Sequence, residues 1–548
     1  MRNGTDRISV CPFHYDRKRV KIMRRVLCAA TVCMLLISCC LAETDSTGGV
    51  EDLNRVFYEI FVGSFSDSDG DGVGDLRGII NRMDYLNDGN PGSKDSLGIE
   101  GIWLTPIFAS PSYHKYDVTD FYAIDPAFGT VEDLKELISL CHERNVKLII
   151  DLPLNHTSTQ NRWFKNFMNA HMMKNPTNEY YDYYVWIPED EASPAGRQFT
   201  ASKQAKLKYE SNFSDAMPEL NYDLPAVRKA ALDVGLYYLD LGVDGFRFDA
   251  AKYIYLGDNP ASVDFWQWYV GELRKAKPDL YTVAEVWDGE GVIDQYLSAT
   301  NCFNFTAAQQ EGLIAETAKA GNVNRFTAYI QKYQEKIAGI GPYAMNTLFV
   351  SNHDMDRAAG YLPLSNGQMK MAANLYLLSP GSPFIYYGEE IGMKGSRGGA
   401  NTDANRRLAM LWGDGDPVQD PVGTTYDMSK QTANTVRQQL DSAGSLFHYY
   451  GKLLKIRRDH PAIARGTYTA LSLADSKAGG FISTWKGTAV AVFHNTTTRD
   501  MEIDLSACTA QSFDTLSAFI GLGEAYLEGT ILTLEGQTSA VLTAASHQ

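Results

Sequence analysis

The stretch Gly242-Val-Asp-Gly-Phe-Arg-Phe-Asp-Ala-Ala-Lys252 carries an arginine and an aspartate where a sequence of its kind should be wholly apolar. Read as a strand, its side chains alternate, so Arg247 and Asp249 share one face while Phe246 and Phe248 take the other. Apolar residues recur at helical spacing from 227 to 241, so this strand follows a helix. A strand set between helices belongs to a parallel sheet covered on both faces, where a charge is costly unless paired or used. Two readings stand. One is a structural ion pair inside a barrel core. The other is a carboxylate kept ionised by a neighbouring guanidinium, the state a nucleophile requires.

Other strand-like runs end in polar residues too. One ends Asp151-Leu-Pro-Leu-Asn-His156, another Ala284-Glu-Val-Trp287, a third Ser351-Asn-His-Asp354. A single such ending is an ordinary buried polar group, but four on different strands are hard to explain as packing. Working groups of a parallel barrel project from the C-terminal strand ends. Asp249, Glu285 and Asp354 suit retaining glycoside hydrolysis, which needs one ionised carboxylate as nucleophile and one protonated carboxyl as acid, about 5–5.5 Å apart. Arg247 would keep Asp249 ionised, while the apolar flank Val283, Val286 and Trp287 would raise Glu285. Asp354 would hold sugar hydroxyls and repel the charge on Glu285, and His156 and His353 would donate to hydroxyls of the reacting ring.

A separate motif, Asp67-Ser-Asp-Gly-Asp-Gly-Val-Gly-Asp75, sets oxygens at alternate positions among glycines. Asp67, Asp69, Asp71 and Asp75 in such a loop suit a hard cation such as Ca²⁺. The competing reading is an acidic turn without metal; no glutamate follows at the twelfth position of an EF-hand.

Strand-like runs at 56–62, 99–106, 146–154, 243–250, 281–286, 302–305, 346–351 and 383–387 alternate with helical ones. Eight such units predict an α/β fold, a (β/α)8 TIM barrel over 51–465. The gap at 156–221 is too long for a loop and predicts an inserted subdomain after strand 3. From 466 to 548 short alternating segments predict a C-terminal all-β domain, a β-sandwich.

The net charge of −16 argues against nucleic acid as a partner, which needs a basic face, and fits a neutral ligand. Five of the eight cysteines lie in the first forty residues, so no disulfide framework is implied. Residues 17–25 are basic and 26–38 apolar, the pattern of a signal peptide too short to span as a membrane helix, with Met23 a candidate start. Residues 1–50 therefore read as signal peptide and tether. Leu36-Ile-Ser-Cys39 resembles a bacterial lipoprotein processing site, which predicts an exported chain held to the membrane only through lipid on Cys39; ordinary cleavage after Ala42 is the alternative.

Taken together, the motifs resemble the α-amylase family of glycoside hydrolases. Four family regions stand in order: Asp151 to His156, Gly245-Phe-Arg-Phe-Asp-Ala-Ala-Lys252, Ala284 to Trp287, and Phe349-Val-Ser-Asn-His-Asp354. The resemblance implies Asp249 as nucleophile, Glu285 as acid/base and Asp354 as transition-state stabiliser. It implies Arg247, His156, His353 and Tyr116 around the reacting sugar and Lys252 on the leaving-group side. It also implies Ca²⁺ in the Asp67–Asp75 loop with the Val73 carbonyl as a ligand. A second calcium site of the family uses a residue matching Asn155 and a histidine where this chain has Tyr253, which leaves that site open. Met217-Pro-Glu-Leu-Asn221 is similar to a fingerprint between oligo-1,6-glucosidases and neopullulanases. The implied substrate is a starch-like α-glucan or maltooligosaccharide cut at α-1,4 bonds. Exo-acting relatives place an aspartate three residues before the subsite tyrosine; here that position is Tyr113, which favours endo attack. The alternatives are an exo-acting α-glucosidase or oligo-1,6-glucosidase, a transglycosylase, and a silent sugar-binding barrel.

Overall fold

Short runs of buried β-branched and aromatic residues form one parallel sheet in the computed structural model, which describes residues 53–544. Its strands are β1 (Phe57–Ile60), β2 (Gly101–Leu104), β3 (Lys147–Leu152), β4 (Gly245–Phe248), β5 (Tyr281–Ala284), β6 (Asn301–Cys302) and β7 (Phe384–Tyr386). Hydrogen bonding runs in the order β6-β5-β4-β3-β2-β1-β7, every pair parallel. Almost every residue of these strands is buried, as helices on the outside of a parallel sheet require.

The expected strand at 346–351 is reduced to a single bridge, Phe303 to Thr347. That segment still closes the barrel: Asn304 donates its N–H to Thr347 O (3.1 Å), and Ser382 and Phe384 donate to Asn346 O and Leu348 O (both 2.8 Å). Its side chains explain the irregularity. Asn346 accepts from Asn304 Nδ2 (3.0 Å) and Thr347 Oγ1 donates to Cys302 O, so side-chain bonds replace part of the ladder.

Helix α1 (Leu76–Asn81) starts on Asp75, whose carboxylate accepts from Gly78 N. Helix α2 (Pro225–Leu241) begins with proline in its first turn and ends on Gly242 at φ +106°, a left-handed cap that feeds directly into β4. Helix α3 (Asn259–Ala276) lays Trp266 on Phe248, ring centroids 4.3 Å apart. This contact buries the outer face of β4 and turns Arg247 inward.

Residues 156–221 contain the helix Arg162–Met172 and a three-stranded antiparallel sheet of Trp186–Pro188, Leu207–Glu210 and Phe199–Ser202. Bridges His156–Glu219 and Tyr184–Leu220 tie this segment back beside the end of β3. Beyond Arg465 a five-stranded antiparallel sheet faces a three-stranded one, with Phe493, Leu542, Ile503 and Leu532 sharing a second core. Among the described residues no helix is long and apolar enough to cross a membrane. The basic run, the apolar run and Cys39 lie outside the described residues.

Candidate active site

Strand register puts Asp151 on β3 directly opposite Arg247 on β4. The guanidinium, with no solvent exposure, then gathers three carboxyl groups. Nη1 donates to Asp151 Oδ1 (2.8 Å) and Asp249 Oδ1 (2.7 Å), and Nη2 donates to Glu285 Oε2 (2.8 Å). Asp249 and Glu285 are thus held on neighbouring nitrogens of one cation. The turn after Asp249 is strained: Ala250 sits at φ +42°, and its N–H donates to Glu285 Oε2 at 3.1 Å.

The ion pair is a structural part of the barrel core, and its carboxylates also reach a cavity. Asp249, Glu285 and Asp354 line one space of about 720 Å³. Tyr113, Tyr116, His156, Lys252 and Arg407 border it as well. Trp287, 38% exposed, Phe213 and Tyr253 add aromatic faces, the last two with ring centroids 4.7 Å apart. Such rings suit the apolar faces of sugars, and the carboxylates and cations suit their hydroxyl edges.

Burial pushes Asp249 up to about 6, against the pull of Arg247 and with the repulsion of Asp151. Arg247 therefore limits the rise that burial causes. Burial likewise raises Glu285 to about 7, with Arg247 opposing and Asp249 and Asp354 adding to the rise. Asp354 differs: burial opposes its charge, yet His353 and Arg407 hold it well below the ordinary carboxylate range. The three groups therefore lean towards one firm anion, one proton holder and one carboxylate between them.

His353 departs from its expected role. It is fully buried and absent from the cavity wall, and both ring nitrogens are engaged. Nδ1 meets Glu59 Oε1 at 2.5 Å, while Nε2 lies 2.6 Å from Tyr116 Oη and 3.1 Å from Asp354 Oδ2. Burial opposes its charge, but Asp354 and Glu59 carry it up to about 10, so it acts as a cation beneath the site. Tyr116 in turn donates to Asp151 Oδ2 at 2.9 Å. His156 does line the cavity, but Asn155 Nδ2 sits 2.8 Å from its Nδ1, which directs its Nε2–H to Tyr116 O at 3.2 Å. Lys252 reaches across to Trp287 O and Asp288, both at 2.9 Å.

Sequence reasoning missed Arg407, Glu59 and the part played by Asp151. Arg407 donates through Nη2 to Asp354 Oδ1 (2.6 Å), through Nε to His353 O (3.1 Å) and through Nη1 to Tyr113 Oη (3.0 Å). The only local signal was the pair Arg406-Arg407 soon after the last strand.

In the acidic loop, carboxylate oxygens of Asp67, Asp69 and Asp71 lie within 4.8 Å of one another. Asp67 also accepts from the N–H groups of Asp69, Gly70 and Gly72, which fixes the loop around it. Asp75 goes elsewhere. Its oxygens accept from Ser68 N and Oγ and from Gly78 N, so it caps α1 instead of joining the cluster. Val73 donates its N–H to Asp71 Oδ1 at 2.7 Å. Three convergent carboxylates fit a hard divalent cation.

The family model described as "Alpha amylase, catalytic domain" matches residues 59–466. Alpha-amylase 3 of Dictyoglomus thermophilum is 34% identical over 448 residues, covering 81% of this chain and 84% of that protein. A 4-alpha-glucanotransferase of Thermotoga maritima is 33% identical over 63% of this chain and 74% of its own. Among solved structures, Eubacterium rectale Amy13B superposes with a TM-score of 0.82 at 32% identity, covering 91% of this chain and 96% of that one.

Proposed function

Because the chain belongs to the α-amylase family of glycoside hydrolases, we propose that it cleaves α-1,4 bonds inside starch-like glucans and maltooligosaccharides with retention of configuration. The observation that carries this reading is the pair Asp249 and Glu285 on one buried guanidinium at the floor of an open cavity. Asp249 Oδ1 is fixed by Arg247, which leaves Oδ2 to attack the anomeric carbon. Glu285 Oε2 is fixed by Arg247 and Ala250 N, so Oε1 carries the proton given to the departing oxygen. Once deprotonated, Glu285 takes a proton from water, and that water releases the sugar from Asp249. Asp354, kept anionic by His353 and Arg407, faces the positive charge that develops on the ring.

Internal attack rests on Tyr113. A carboxylate at that place would grip the terminal hydroxyls of a chain end. Tyr113 instead engages Arg407 through its hydroxyl at 3.0 Å and offers a ring to a glucan that continues. A maltoheptaoside blocked at its non-reducing end tests this. Cleavage of the blocked sugar at the rate of the free one is expected; a rate near zero, with glucose as the only early product, means exo attack. Transfer to sugar acceptors is the second reading, favoured by the likeness to a 4-alpha-glucanotransferase, and products longer than the substrate would establish it.

Ca²⁺ in the Asp67–Asp71 loop belongs to the same proposal, supported by the convergent oxygens. So does export, with lipid on Cys39; mass spectrometry of the mature N-terminus tests it.

A further inference from the structure

A second cavity of about 740 Å³, as large as the catalytic one, lies on the other side of the segment 398–407. The two share no lining residue. Asn401, Thr402 and Asp403 face the catalytic cavity, whereas Gly398, Ala400 and Asn405 face the second. The chain after β6 and before β7 divides in the same way, with Asp354 on one side and Asp356 and Arg357 on the other.

The second wall is built for a neutral, hydroxyl-rich ligand. Tyr426 is half-buried there, and among the described residues its hydroxyl has no hydrogen bond and its ring no aromatic or cationic partner. Charges of both signs surround it. Asp356 accepts from Arg406 Nε at 2.9 Å, and Asp427 lies 3.7 Å from Lys430. Among the described residues Lys394, which also lines this wall, makes no ion pair. Mixed signs, partly paired, favour hydroxyl groups over a net anion or cation, and a flat ring with a polar fringe is what a pyranose covers best.

The floor of this cavity is also tied to the chemistry. Arg357, 2% exposed, lies 4.2 and 4.5 Å from the ring centroids of Tyr386 and Tyr387. Its Nε donates to Arg406 O at 2.9 Å, and Arg406 Nη1 donates to Asp354 O at 2.7 Å. Two consecutive hydrogen bonds through Arg406 therefore join the floor of the second cavity to the backbone of Asp354, whose side chain lines the catalytic one.

We propose that this cavity is a second α-glucan site, separate from the catalytic cleft, that holds a short run of glucosyl units against Tyr426 and Asp356. It rests on the glucan reading above. The size allows a ligand of a few rings. A ligand seated there also braces segment 398–407 between its two walls.

Titration calorimetry of Asp249→Asn protein with maltotriose tests the proposal, because binding is then read without turnover. Two sites per chain are expected. Adding Tyr426→Ala should weaken one of them at least tenfold, while Trp287→Ala should weaken only the other. The site that survives each substitution reports that the protein is folded. A single site lost with Trp287→Ala and untouched by Tyr426→Ala overturns the second site and leaves the glucan reading standing. Two sites that both ignore Tyr426→Ala overturn the placement. No binding anywhere overturns the glucan reading itself, and the proposal with it.

Discussion

Arg247→Met isolates what one buried cation does for the site. The guanidinium bonds Asp151, Asp249 and Glu285 and has no solvent exposure. Methionine fills much of its volume but leaves three carboxyl groups facing one another without a cation. Removing one partner of a buried ion pair costs about 3–5 kcal/mol. Unfolding entropy of about 2 cal/mol/K per residue makes one degree worth about 1 kcal/mol for a chain of 548 residues. The Tm at pH 8 should therefore fall by about 3–5 °C.

The loss should depend on pH with a definite sign. Burial already lifts Asp151 and Asp249 to about 6 and Glu285 to about 7, and Arg247 pulls all three down. Without it they climb further. A carboxyl with a raised folded-state pKa contributes stability that is fully present below its unfolded pKa near 4 and is lost as pH rises through its folded value. The variant, with higher folded values, loses more over that rise. The Tm gap should thus be widest at pH 8 and shrink towards pH 4, where all three groups are neutral in both proteins. Scanning calorimetry from pH 4 to pH 8 reads the gap, and release of reducing ends from starch reads turnover, expected to fall at least about 100-fold. An unchanged Tm at pH 8, a gap constant with pH, or turnover near wild type would refute the reasoning.

Asp249→Asn and Glu285→Gln should each lower turnover on the order of 10⁴-fold with Tm kept within a few degrees, and NMR of the first product should show the α-anomer. For the wild type, kcat/KM needs Asp249 ionised and Glu285 protonated, so its pH profile should peak between about 6 and about 7 and fall on both sides; a plateau reaching pH 9 contradicts the pairing. Chelation should lower the Tm, since a ligand of the native state stabilises by mass action. Asp71→Ala should remove that sensitivity, whereas Asp75→Asn, acting at the α1 cap, should leave it.

Much of the fold could be read from order and periodicity alone. Alternating strand-like and helical runs announced the barrel because each run answers to local rules of spacing. The segment 346–351 carries the apolar pattern of a strand, yet side-chain bonds of Asn346 and Thr347 replace part of its ladder. The carboxylates stood out for a related reason: Asp249, Glu285 and Asp354 interrupt runs that should be apolar, and an interruption is visible without a structure.

What those residues do to one another was decided only when the barrel closed. Glu59 and His353 are 294 positions apart and share a proton site; Arg407 reaches back to Tyr113 across the same number. Sequence spacing placed Arg247 beside Asp249, but neighbouring strands brought Asp151 and Glu285 to the same guanidinium, and burial then outweighed the pairing and raised Asp249. Asp75 shows the same limit at short range, since it sits in the acidic rhythm of its loop yet is claimed by the free amide of Gly78 in the first turn of α1. Residue types and periods are properties of the chain. Desolvation and charge–charge coupling depend on distances through space, and only the folded barrel sets those.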